Sequence, residues 1–109
     1  MNDYRVTVSK DLLVFASGHF ITYGDGTCEP LHGHNYRVEV ELIGRQLDRL
    51  GFLVDIAAVK KTIRALCADL DEQFLIPGDC DLLEVQSSGG QLVLAYSDRR
   101  YELPEADVV

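Results

Sequence analysis

Apolar positions along the chain follow two different periods. Tyr4, Val6 and Val8 alternate with Arg5 and Thr7, and an apolar run from Leu12 to Ala16 leads into Gly18-His19-Phe20. A period of two belongs to a strand with one buried face, so this stretch predicts an early strand or bent strand with His19 near its end. The clearest strand puts Tyr36, Val38, Val40 and Leu42 on one face, and Arg37, Glu39 and Glu41 on the other. After Asp55, a residue suited to capping a helix, Ile56, Val59, Ile63, Leu66 and Leu70 recur at helical spacing, with Lys60, Lys61 and Arg64 on other faces. This predicts a helix ending around Asp71. Beyond a turn at Pro77-Gly78-Asp79, the segments Leu82–Gln86 and Gln91–Tyr96 predict a hairpin across Ser87-Ser88-Gly89-Gly90. A short third strand is expected at Tyr101–Leu103.

The pattern is that of an α+β protein of 109 residues, a single domain over residues 1–109. No second helix follows to cover the sheet. The expectation is a domain lacking its C-terminal helical part, the alternative being cover supplied by neighbouring subunits. Ten basic against eighteen acidic residues give a formal charge of −8 without a basic stripe, which disfavours nucleic-acid binding. No run reaches the roughly eighteen apolar residues of a membrane helix, and the start from Met1 to Arg5 has no signal-peptide pattern, so a cytoplasmic protein with no membrane partner is expected. Three cysteines, Cys28, Cys67 and Cys80, without a C-x-x-C spacing, read as free thiols: Cys67 as core filler, Cys80 as a turn residue with no companion.

The chemistry is concentrated in the histidines. The chain has three, His19, His32 and His34, the last two arranged H-x-H where a breaker-rich loop (residues 22–33) runs into the clearest strand. If Gly33 is extended, His32 and His34 point the same way, and an antiparallel neighbour would bring in His19. Histidines occur in loops without any metal, but these three with none elsewhere favour a metal site. Three imidazoles with an open fourth position describe a catalytic zinc centre. Imidazole spacing alone also admits nickel, iron or cobalt. Cys28, four residues before His32, reads as a base or proton shuttle, a fourth metal ligand, or an inert loop thiol. Asp71 and Glu72 are acid/base candidates or simply the solvated end of the helix.

Three motifs carry a resemblance: Phe15-Ala16-Ser17-Gly18-His19, then Cys28-x3-His32-Gly33-His34-Asn35-Tyr36, then Gly51-Phe52-Leu53-Val54-Asp55-Ile56 with Asp69-Leu70-Asp71 further along. With them the chain resembles the 6-pyruvoyl-tetrahydropterin synthase family, whose bacterial branch includes the 6-carboxy-tetrahydropterin synthases of queuosine biosynthesis. The resemblance implies a tunnelling fold, an antiparallel sheet with helices on one face, closed by three subunits into a barrel and stacked as a homo-hexamer, a dimer of trimers. It implies Zn²⁺ on His19, His32 and His34, and proton abstraction by Cys28 with help from an Asp-His pair. The implied activity is that of a zinc-dependent lyase turning a small pterin substrate, 7,8-dihydroneopterin triphosphate, into 6-pyruvoyl- or 6-carboxy-tetrahydropterin. The chain departs from the family pattern at Asp71-Glu72, where the family has Asp-His, and the glutamate with which relatives anchor the pterin ring is not in it. Two alternatives stand beside that reading: a same-fold, aldolase-like enzyme that cleaves the pterin side chain, and a non-catalytic zinc- and pterin-binding homologue.

Overall fold

A computed structural model describes residues 3–109; the expectation concerning the start of the chain therefore falls partly outside the described residues. The elements are β1 (Tyr4–His19), β2 (His32–Gly44), α1 (Ile56–Leu70), β3 (Gln73–Leu75), β4 (Glu84–Ser88), β5 (Gln91–Tyr96) and β6 (Arg99–Pro104), with a closing 3-10 turn at Glu105–Asp107. They form two three-stranded sheets, ordered β2-β1-β3 and β4-β5-β6. The chain divides into two compact units. One comprises the chain up to Phe15 with Asn35–Asp69, the other Ala16–His34 with Leu70–Val109.

In the first unit, Val6 and Val8 face inward on β1, whereas further along Leu13 and Phe15 do so. The inward parity has moved from even to odd numbers, as an extra residue accommodated between Val8 and Leu13 makes it do. That shift explains why the sequence there reads as alternation followed by a continuous apolar run. On β2, Tyr36, Val38, Val40 and Leu42 are the half-buried face. Phe15 stacks on Tyr36 with ring centroids 4.8 Å apart. The Asp55 carboxylate accepts the Ala58 N–H at 3.2 Å and caps α1. Ile56, Val59, Ile63 and Cys67 then pack against Val8 and Leu13. Cys67 is core, as expected, while Leu66, placed by its spacing in the apolar stripe, is 58% exposed. One turn of α1 therefore gives its inward position to a cysteine rather than a leucine.

The second unit holds the element that sequence reading missed. β3 is three residues long and lies parallel to the end of β1, pairing Ser17 with Gln73, Gly18 with Phe74 and His19 with Leu75. A strand so short has no period of its own, and its partner is more than fifty residues away. Gly18 is required there: a Cβ on it would come within 2.7 Å of the Phe74 ring. The second sheet is a meander whose first turn is tighter than expected. Ser87 and Ser88 belong to β4, and Gly89 and Gly90, both at positive φ (58° and 81°), make a two-residue turn of the kind that suits the twist of paired strands. β6 also starts earlier than expected, at Arg99, because Ser97 takes a left-handed conformation with φ 55°. Phe20, Leu83, Leu94 and Tyr96 form the core of this unit, with Cys28, Leu31, Cys80, Tyr101 and Leu103 against it. Among the described residues no helix is long and apolar enough to cross a membrane.

Leu13 is fully buried. Leu13→Ala is expected to lower the unfolding free energy by about 2–5 kcal/mol, read as a shift in urea midpoint at unchanged slope.

Candidate metal and catalytic site

All three histidines lie in the second unit. His19 is the last residue of β1 and His32 the first of β2, so each occupies the point where a strand meets the 20–31 loop. Gly33 separates His32 from His34 and brings the backbone close to Ser17: a Cβ there would lie 3.3 Å from the Ser17 carbonyl oxygen. The donor nitrogens of the three rings all fall within 4.8 Å of one another. Centroids are 4.6, 4.8 and 4.8 Å apart, with interplanar angles of 70°, 81° and 86°. Three rings meeting edge-on like the faces of a corner direct their nitrogens toward one point, as a tripod of ligands must.

The tautomer of His32 is set by its neighbour. Its Nδ1 lies 2.7 Å from the Pro30 carbonyl oxygen, which can only accept, so Nδ1 carries the proton. In the neutral ring Nε2 then presents a lone pair, and it does so 3.0 Å from His19 Nε2. A backbone carbonyl holding the distal N–H is the usual support of a metal-binding imidazole. The donor set therefore fits a borderline ion such as zinc, with the fourth position left to a non-protein ligand.

Cys28 is not among these donors: the described residues that converge are the histidines alone. It forms an isolated bridge with Thr22 and is half-buried against the core of the unit. Its thiol donates to the Glu29 carbonyl oxygen at 3.2 Å. Burial pushes the thiol pKa up, the positive charge of Arg99 pulls it down, and Glu29 and Asp98 push it up again. Cys80, expected to stand without companions, has one. Thr22 Oγ1 is 3.6 Å from its sulfur, and that hydrogen bond holds the Cys80 thiol below its ordinary pKa.

Asp71 and Glu72 grip the backbone just before His19. The Asp71 carboxylate accepts the Ala16 N–H at 2.8 Å, and the Glu72 N–H donates to the Ala16 carbonyl at 2.7 Å. Ser17 donates its hydroxyl to the Leu70 carbonyl at 2.6 Å, satisfying one of the acceptors at the end of α1. Glu72 makes this possible by taking φ 59°, the left-handed residue that closes a helix. Glu29 was missed by sequence reading. Its Oε1 is buried without a hydrogen-bond partner, alone in this respect among the described side chains. The signal was present as a carboxylate in the loop between the thiol and the histidine pair, but burial is not visible in sequence.

A strand-held trihistidine cluster on an α+β fold defines the class, and comparison with known proteins supplies the family. Residues 7–98 match the family model described as 6-pyruvoyl tetrahydropterin synthase, and the chain belongs to that family. A 6-carboxy-5,6,7,8-tetrahydropterin synthase of Bacillus subtilis is 33% identical over 109 residues, covering 97% of this chain and 61% of its own length. One from Rickettsia bellii is 32% identical over 85 residues, covering 72% and 59%. The crystal structure of 6-pyruvoyl tetrahydropterin synthase from Plasmodium vivax superimposes with a TM-score of 0.90 at 31% identity, over 100% of this chain and 66% of that one. The fold is the tunnelling fold. The chain thus spans about three fifths of the length of these two sequence relatives. Two further structures of the Plasmodium vivax protein are catalytic-residue mutants in which a glutamate is replaced, by alanine in one and by cysteine in the other.

His32→Ala is expected to abolish stoichiometric zinc binding, measured by elemental analysis after dialysis. Asp71→Ala should instead keep the metal and lower stability by about 0.5–1.5 kcal/mol, because it removes an exposed hydrogen bond to the Ala16 N–H.

Proposed function

We propose that the protein is a zinc-dependent lyase that acts on 7,8-dihydroneopterin triphosphate and yields 6-pyruvoyl- or 6-carboxy-tetrahydropterin. The observation that carries this is the convergence of the three imidazoles, with donor nitrogens within 4.8 Å and the His32 tautomer fixed by Pro30. His19, His32 and His34 would hold the ion, which when bound polarises a side-chain oxygen of the substrate and stabilises charge formed at the adjacent carbon. Cys28 is the group that takes the proton from that carbon. Its thiol must first lose its own proton, and the hydrogen bond to the Glu29 carbonyl orients the sulfur until then. Asp71 holds Ala16, and with it the end of β1 that carries His19. Glu72, at the position of the family's histidine, is assigned the relay of that proton to solvent.

The outward side of the first unit supports an assembly in which sheets are covered by other copies. Leu12, Val14 and Ile43 on β1 and β2 are 71%, 46% and 57% exposed, an apolar surface of the kind that marks an interface. We assign it to a homo-hexamer of two trimers, with the pterin bound where subunits meet and the protein working in the cytoplasm.

A second reading, side-chain cleavage of a dihydropterin, is favoured by Glu29. A buried carboxylate oxygen without a partner is suited to remove a hydroxyl proton, and loss of that proton opens the neighbouring carbon–carbon bond in a retro-aldol step. The electron pair of the broken bond passes into the pterin ring, and the departing fragment is a two-carbon aldehyde.

Turnover of 7,8-dihydroneopterin triphosphate by the zinc-loaded protein separates these readings. Free triphosphate with a pyruvoyl product, or with acetaldehyde and a carboxy product, is the expected result. Cys28→Ala should then lower the rate at least about 100-fold with zinc content unchanged. A hydroxymethyl-pterin together with an aldehyde still carrying the triphosphate, abolished in Glu29→Gln, would establish cleavage instead. Stoichiometric zinc with neither product would leave a pterin-binding homologue.

A further inference from the structure

α1 has a face that its own unit leaves uncovered. Ile56, Val59, Ile63 and Cys67 point into the core of the first unit, and beside that stripe Leu66 is 58% exposed. With Ala58, Lys61, Thr62, Ala65 and Asp69 it lines a groove of about 470 Å³ along the helix. Every one of these side chains is exposed. The Thr62 hydroxyl donates to the Ala58 carbonyl at 3.0 Å, so its hydrogen is spent on the helix itself and the stretch between Lys61 and Asp69 asks nothing polar of a partner. The two ions that bound this stretch are unmatched. Lys61 and Asp69 take part in none of the ion pairs among the described residues. Neither has an opposite charge three or four places away, where a helix would bring one alongside. They stand on one i, i+4 row, about 12 Å apart along the axis, with Ala65 midway.

Reversing the direction of this row exchanges its charges. A second α1 laid antiparallel, with Ala65 against Ala65, brings Lys61 of each copy to Asp69 of the other. The face is thus complementary to itself under a two-fold rotation, as an isologous interface requires, whereas a parallel pairing sets like charges together. Alanine at the crossing point lets the two axes approach to about 8 Å, and Leu66 beside it supplies apolar area. We propose that this face of α1 is an interface between two copies of the chain, packed antiparallel about a two-fold axis at Ala65, with Lys61 and Asp69 paired across it. The contact is separate from the apolar surface of Leu12, Val14 and Ile43, since α1 lies on the side of the sheet to which Val8 and Leu13 point. Six residues a side is well short of the roughly twenty of a standard interface, so the pair is weak by itself and a covalent trap reads it better than sedimentation.

Ala65→Cys places a thiol on the proposed axis, where it meets its own copy. Treated with diamide at low protein concentration, this variant should give a disulfide-linked dimer on a non-reducing gel, with the unsubstituted protein and its native thiols Cys28, Cys67 and Cys80 as the blank. Arg64→Cys, one position away and turned about 100° round the helix, should give little. In the Ala65→Cys background, Lys61→Glu or Asp69→Lys should each slow cross-linking at least about fivefold, because both ion pairs become repulsions. Combining Lys61→Glu with Asp69→Lys should recover the rate, and added salt should narrow these differences. Equal cross-linking by Ala65→Cys and Arg64→Cys would overturn the proposal, since that reports random collision. So would a double charge reversal that stays slow. A thiol at position 65 that remains uncross-linked overturns it too: if open to alkylation the face is bare, and if protected something other than a second copy covers it.

Discussion

The two-residue period of β1 and β2 is the constraint on which the histidine cluster depends. His19 is in phase with Leu13, Phe15 and Ser17 only because an extra residue between Val8 and Leu13 has already shifted the inward parity. Without that shift the apolar start of the strand and the histidine at its end would face opposite sides. His32 and His34 are in phase with Tyr36, Val38 and Val40 on β2. The three histidines thus keep the two-residue phase of the strands on which they sit.

The remaining degree of freedom is how far β1 extends, and the end of α1 sets it. Ala16 has both its N–H and its carbonyl taken by Asp71 and Glu72, and Ser17 is tied to Leu70. β3 then pairs with the next residues, up to His19 itself. Aspartate at position 71 is accordingly needed as an acceptor whatever its part in proton transfer. Glutamate at position 72 tolerates the left-handed backbone there, at a cost that only glycine and asparagine largely escape.

Sequence reading recovered what repeats locally. The alternation of β2, the cap and most of the stripe of α1 and the H-x-H pair each declare themselves within a short stretch of chain, and they were found there, Leu66 excepted. What it missed is non-local. β3 exists because β1 offers it an edge, Leu66 is exposed because Cys67 takes the inward turn, and Cys80 gains Thr22 through a contact fifty-eight residues long. Turn lengths were misjudged for a related reason. Four small residues at Ser87–Gly90 permit several turns, and only cross-strand pairing of Ser87 and Ser88 selects the two-residue one.

Polar irregularity is concentrated in residues 28–32. Within five positions there is a half-buried thiol bonded to its own loop, a buried carboxylate oxygen without a partner, and a carbonyl committed to an imidazole. An unsatisfied buried acceptor costs about 1–3 kcal/mol, and proteins of this size have only several kcal/mol of net stability. A glutamine at position 29 would carry no charge into the site, and an apolar residue would remove the penalty altogether. The carboxylate is thus tolerated at a place where packing alone gives no reason for it, beside the thiol and ahead of the histidine pair. Local rules broken together within one loop are the pattern expected of a reactive site in a small fold.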